Sequence, residues 1–281
     1  MCPFAWKNRL SALIVEEKTV MSALPNPQNR ILTAVRDGFL PFLLFFTVIA
    51  IWEFVVWYTN YPKSILPRPS AIVIAIFDNW ELLIKNIMPT ASVALGGFLL
   101  ASIIGLFLAL LMTWSPWAKD ALYPNIVGFQ IVPKIAWAPM FVLWLGIEFE
   151  SRLGFAVFIS IFPIIISMTA GLKNTDPSLL KLCESLTASK LQTLFLVRFP
   201  FALPYLISAM KMSITMAMIG VIVGEFITSS QGLGFLILVA FGQLQTDLML
   251  ATVLFLCIVG LFFYSLIAFA SYRLQIWFGN K

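Results

Sequence analysis

The chain contains no histidine in 281 residues. That removes imidazole acid–base chemistry and the commonest zinc ligand. Its three cysteines, Cys2, Cys183 and Cys257, stand far apart. None has a neighbour at metal-ligand spacing, and no disulfide framework follows from them. No G-x-x-x-x-G-K-[ST] loop is present, so nucleotide is not bound through a P-loop. Catalytic residues, a metal site and a cofactor are therefore not expected. Charged residues make up 11% of the sequence, against about 25% in a soluble domain. The formal net charge of +5 is not gathered on a soluble domain, which argues against a nucleic-acid partner. Internal repeats are also absent, and this disfavours secondary transporters built from inverted repeats.

What the chain has in quantity is apolar sequence. Sixty per cent of its residues are hydrophobic, and the mean hydropathy is +0.95. The apolar runs have the ~20-residue length of membrane-spanning helices, and the short alternating segments of a barrel are missing. The fold class is an all-α membrane protein with six expected transmembrane helices: Leu40–Tyr58, Ala91–Trp114, Leu122–Leu145, Leu153–Leu172, Pro204–Thr228 and Leu248–Ser271. Between the first two spans, Leu66-Pro67-Arg68-Pro69-Ser70 reads as a rigid extended element. Ser70 would cap a short helix over Ala71–Ile84. The expected organisation is a tail over 1–38, a first span and outer loop over 39–89, a core over 90–272 and a tail over 273–281. The first 38 residues lack the continuous apolar core of a signal peptide, and Met21 is an alternative start.

Lysine and arginine orient the spans. Of the 18 cations, Lys134 and Lys211 lie inside spans. With the N-terminus inside, twelve of the remaining sixteen fall on the inner side and four, Lys63, Arg68, Lys85 and Arg152, on the outer side. This positive-inside bias makes both termini cytoplasmic. The segment Asp176–Pro204 is then a polar, basic cytoplasmic island between two apolar spans. Asp176 followed by Pro177 reads as an N-cap with proline at the first helical position. Leu179, Leu182, Cys183 and Leu186 form one apolar face. Ser189 and Gln192 have capping-box spacing, and Leu191, Leu194 and Phe195 form a second apolar face. Two small amphipathic helices joined by a turn make a docking surface.

Charges within spans each cost about 2.5–3.5 kcal/mol at a helix centre, so they have a reason to be there. Glu53 and Lys211 lie close enough to span ends to reach the interface by snorkelling. Lys134 sits between Pro133 and Pro139, where a helix must break, and would line a cavity. Glu225 precedes Ser229-Ser230-Gln231-Gly232-Leu233-Gly234. It is either a helix end with a glycine turn or a lining group near the outer mouth. Lys134, Lys211 and Glu225 are the pathway candidates.

The island resembles the EAA loop of type I ABC-importer permeases. Lys181, Leu182 and Cys183 stand where that pattern has glutamate and two alanines. Thr187 stands at its glycine, and Phe199-Pro200 at its leucine-proline. Ala188-Ser189-Lys190, Phe195, Arg198 and Ala202-Leu203-Pro204 keep the frame. Leu66–Ser70 is similar to the LPSPS element of the nitrate/sulfonate/taurine branch. Val132–Pro139 with Trp144-Leu145-Gly146-Ile147 is similar to that branch's third-span pattern. Val223-Gly224-Glu225-Phe226 and Gln231–Ile237 resemble the subgroup of thiamine-precursor and riboflavin permeases. The resemblance implies the type I ABC importer permease fold in a bacterial inner (plasma) membrane. It implies two ABC ATPase subunits, an extracytoplasmic substrate-binding protein and a second permease copy as partners. ATP hydrolysis would belong to the separate ATPase chains. Lys181, Leu182, Cys183, Leu186, Thr187, Ser189, Leu191 and Phe195 would form the ATPase-docking surface. The expected cargo is a pyrimidine vitamin precursor or a flavin, with nitrate, sulfonate or taurine next. The alternative class is an ion-coupled secondary transporter.

Overall fold

The computed structural model describes the backbone of residues 27–279 and the side chains of 39–271. Met21 and Cys2 lie outside the described residues. Among the described residues the first unit holds one helix, α1 (Pro27–Thr59), whose segment Phe39–Thr59 is apolar enough to cross a membrane. It begins thirteen residues before the expected first span, inside the segment read as a tail.

The second unit starts at Tyr61. Its first helix, α2 (Pro69–Asp78), has Pro69 at its first turn and Arg68 as N-cap, with no side-chain cap bond. Ser70 therefore lies inside the helix and does not cap it. The expected helix over Ala71–Ile84 is broken at Asn79, whose φ −116, ψ 24 leaves the helical region. Asn79 Nδ2 donates to the Ala75 carbonyl at 3.0 Å and closes α2. The next helix, α3 (Trp80–Trp114), starts eleven residues before the expected second span and takes in Glu81 and Lys85.

Proline shapes the third segment. Helix α4 (Pro116–Ile131) ends at Val132, held extended at φ −67, ψ 137 before Pro133. A residue before proline is driven from the helical region, and proline has no N–H to continue the ladder. A 3₁₀ turn, Lys134–Trp137, leads into α5 (Ala138–Leu145). The two parts meet at 97°, so the expected span Leu122–Leu145 is a bent pair and not one straight helix. Counting that pair as one span, the described residues hold up to six; without it, five.

Helix α6 (Phe149–Lys173) is the centre of the second unit and packs chiefly on α3 and on the fifth span. A short helix, α7 (Pro177–Ser185), follows. The fifth span and its approach form one helix, α8 (Lys190–Thr228), with a π-helical turn at Leu194–Arg198. Next come α9 (Leu233–Gly242), which periodicity did not separate from the preceding loop, and α10 (Thr246–Gly279).

The α3–α6–α8 core is built on small residues. A Cβ on Gly97 would stand 2.6 Å from Ala156 Cβ, and one on Gly220 would stand 2.8 Å from Ala156 Cα. Three backbones meet around Ala156, which is how helices associate where lipid supplies no hydrophobic drive. Ser213 of α8 donates to the Ser160 carbonyl of α6 at 2.7 Å, fully buried. Around this seam lie Val93, Phe98, Ile214, Met218 and Val221, joined by Leu233, Leu236 and Phe255 from α9 and α10.

Candidate functional site

Local sequence builds the island. Asp176 Oδ1 accepts from the Ser178 N–H at 2.7 Å and starts α7 behind Pro177. The helix stops in a Schellman arrangement: Thr187 N–H donates to the Glu184 carbonyl at 3.0 Å and Ala188 N–H to the Cys183 carbonyl at 2.9 Å. This needs a left-handed residue after the C-cap, and Thr187 supplies it at φ +54. Glycine adopts this conformation without steric penalty, and the EAA pattern that the island resembles has glycine at this position. Two residues on, Ser189 and Gln192 form the capping box. Gln192 N–H donates to Ser189 Oγ at 3.2 Å, and Ser189 N–H donates to Gln192 Oε1 at 2.8 Å.

The second island helix is not a separate element. It runs through the π-helical turn into the fifth span, so the turn at 186–189 is the island's one break. Of the eight docking candidates, Lys181, Leu182, Leu186, Thr187, Ser189, Leu191 and Phe195 are exposed and Cys183 is half-buried. Leu186 is 69% exposed and Leu182 and Leu191 are each 54% exposed. Apolar side chains this open on a polar segment are what a partner would cover. Leu194, by contrast, is buried with Ala109, Met168, Leu172 and Ala202, and this ties the island to the bundle. A cavity of about 460 Å³, lined among others by Trp114, Leu180, Glu184 and Arg198, lies beside the junction of α3 and α4.

At the far end of α8 is a buried polar cluster. Glu225 is 1% exposed. Its Oε1 accepts from Thr90 Oγ1 at 2.7 Å and its Oε2 from the Gly234 N–H at 2.7 Å. Thr90 Oγ1 accepts from the Leu233 N–H at 2.8 Å, and Asn86 Oδ1 accepts from the Gly232 N–H at 2.7 Å. Three consecutive amides at the start of α9 thus each meet a side chain of α3 or α8. Such amides have no partner within their own helix, and their partial positive charge suits a carboxylate. Gly232 has φ +111, and a Cβ there would run into the Glu225 carboxylate. Beside the cluster, Arg152 of α6 is 7% exposed and donates to Ser229 Oγ at 2.9 Å.

The other two pathway candidates lie elsewhere. Lys134 Nζ stands 5.0 Å from the Phe162 ring centroid, and Lys211 Nζ 6.0 Å from that of Tyr264. Both are half-buried, and no ion pair joins either to Glu225 among the described residues. Sequence reading found Glu225 but missed its partners. Asn86 and Thr90, four apart and so on one helical face, were the available signal. Arg152, counted as an outer-loop charge, is an internal strut. No group of three metal-ligating side chains occurs among the described residues.

This is an α-helical, multi-pass membrane protein with a broken span and an exposed amphipathic island. Residues 97–279 match the family of binding-protein-dependent transport system inner membrane components, and the chain belongs to that family. It is 35% identical over 237 residues to a "probable ABC transporter permease protein" of Haemophilus influenzae, covering 84% of this chain and 96% of the relative. It is 33% identical to the formylaminopyrimidine transport permease protein of Halalkalibacterium halodurans, covering 69% and 78%. It is 32% identical to the riboflavin transport system permease protein of Chloroflexus aurantiacus, covering 82% and 87%. A chain of the inward-facing MetNI methionine ABC transporter superposes with a TM-score of 0.60 at 18% identity, over 72% of this chain and 98% of that one, and shows the shared fold. The chain is an ABC-importer permease that works with ATPase and substrate-binding components in the inner membrane, and the ion-coupled alternative is set aside.

Proposed function

We propose that the cargo is a small polar nitrogen heterocycle, of the pyrimidine-precursor or flavin kind. The supporting observation is the order of the relatives. Permeases named for formylaminopyrimidine and riboflavin are 33% and 32% identical, against 28% and 29% for the sulfonate permease of Bacillus subtilis and the taurine permease of Escherichia coli. A nitrate permease of Synechocystis stands at 29%. A second reading, a small anion, draws on Lys134 and Lys211, two half-buried cations without a carboxylate partner among the described residues. A low-dielectric pathway strengthens their pull on an anion. Glu225 works from behind the pathway, by holding the start of α9. Uptake by the complete transporter of labelled formylaminopyrimidine, riboflavin, nitrate and a sulfonate separates the readings. Uptake of nitrate or the sulfonate alone refutes the heterocycle.

The functional unit is two copies of this chain, with termini and islands on the cytoplasmic side. One ATPase docks on each island, and the binding protein docks outside. Leu186→Asp or Leu191→Asp puts a charge into the docking contact and costs several kcal/mol there. Both side chains are exposed in the chain alone, so the variants are expected to insert normally and to lose the ATPase on co-purification. Undiminished co-purification contradicts the docking assignment.

A further inference from the structure

We propose that the island end of the bundle carries a phosphate-binding pocket, taking a phosphate group either from an anionic lipid headgroup or as the free ion. A cavity of about 290 Å³ lies beside the ends of α3 and α6 and the start of α4. Its lining brings together Lys119, Lys173 and Arg198 with the hydroxyl residues Thr113 and Thr169, and includes no carboxylate. At ~30 Å³ per water, that is room for a phosphate group with part of its glycerol.

The three cations come from different elements. Lys119 is in the first turn of α4, Lys173 is the last residue of α6, and Arg198 ends the π-helical turn of α8. None has a side-chain hydrogen bond or ion pair among the described residues. Part of their charge answers the two helix C-termini, of α3 and α6, that end here. Each terminus carries roughly half a negative charge, so together they offset about one of the three cations. About two positive charges remain for a ligand.

Thr169 is the independent sign. It is 6% exposed, it lines the cavity, and its Oγ1 has no hydrogen-bond partner among the described residues. A helical threonine ordinarily returns its hydroxyl to the carbonyl one turn back, as Thr113 does to Ala109 at 2.9 Å. Buried hydroxyls are rarely left orphaned. A phosphate oxygen would accept from Thr169 while pairing with the lysines and Arg198, in the charge-assisted manner that anions favour. Basic pockets between membrane helices on the cytoplasmic side recognise phosphate headgroups in this way.

The test uses the full chain in neutral detergent. Native mass spectrometry counts retained phosphatidylglycerol, with phosphatidylcholine as the zwitterionic control. Equilibrium dialysis with radiolabelled inorganic phosphate runs in parallel. The variants are Lys119→Gln and Lys173→Gln singly and together, the near-isosteric Thr169→Val, and Lys85→Gln as a control for loss of one lysine at the opposite end of α3. Each lysine removed is expected to weaken binding about fivefold, Thr169→Val is expected to weaken it measurably, and Lys85→Gln should leave it unchanged. Loss of phosphatidylglycerol in the pocket variants identifies a headgroup site. Loss confined to inorganic phosphate identifies a free-ion site. Retention of both probes by the double variant and by Thr169→Val overturns the proposal. So does loss of the ATPase from the double variant with both probes unaffected, because the cations would then serve a protein carboxylate.

Discussion

Thr187 occupies a left-handed backbone position, φ +54, that glycine adopts without steric penalty. A β-branched residue there costs about 1–2 kcal/mol, part of which its smaller unfolded-state entropy returns. Thr187→Gly is therefore expected to raise stability by up to about 1 kcal/mol, read as a higher melting temperature in detergent. Glu225 predicts the opposite sign. Glu225→Gln presents one acceptor where Thr90 Oγ1 and the Gly234 N–H now use two oxygens. The unpaired donor costs about 1–3 kcal/mol. Thr90→Val should cost at least as much, because it also strands the Leu233 N–H. A double-mutant cycle between positions 90 and 225 should give strongly non-additive losses. The residue identities at the island were legible because caps act locally: Asp176 and Ser189 bond within three residues of themselves. The outer cluster was not legible, because Glu225 and Thr90 are 135 residues apart and only packing brings them together.

Among the elements, periodicity and length found the long apolar helices, and proline found the break in the third. Sequence failed where an apolar pattern continues through a backbone break. Asn79 ends α2 and Trp80 begins α3 with no proline or glycine between them to mark the break, so one helix was expected over 71–84 where two exist. Helix α9 was lost for a related reason. Its start is set by Gly232 and by acceptors on α3 and α8, not by a cap of its own. Gly234→Ala tests that dependence. The added Cβ would stand 2.7 Å from Glu225 Oε2 and 3.1 Å from the Ile222 carbonyl. Displacement of α9 is the expected result, read as faster hydrogen exchange at 233–242 while the α6 core stays protected. At the centre of the bundle, Ala156→Leu is expected to be worse than Gly234→Ala. Its side chain would push into α3 at Gly97, whose own Cβ position lies 2.6 Å from Ala156 Cβ, and overpacking of this kind costs about 1–3 kcal/mol or more.

For the whole molecule, up to six spans among the described residues carry one island; if each island takes one ATPase, as proposed, a paired ATPase needs two islands. Closed two-fold symmetry is the commonest way to supply them. Mass measurement of the assembled transporter in a nanodisc is expected to find two copies of this 31.5 kDa chain and no other permease. The continuity of α8 carries a further consequence for such an assembly. Its 39 residues extend about 58 Å at 1.5 Å per residue, nearly twice the ~30 Å hydrocarbon thickness. One uninterrupted rod thus begins at the exposed capping box of Ser189 and ends at the dry carboxylate of Glu225. It contains no loop to absorb a displacement. A tilt of about 5° at one end therefore sweeps the other through about 5 Å, on the order of one helical turn. An ATPase docked at Leu191, as proposed above, would therefore act by leverage alone on the amides of α9 at the far end of α8.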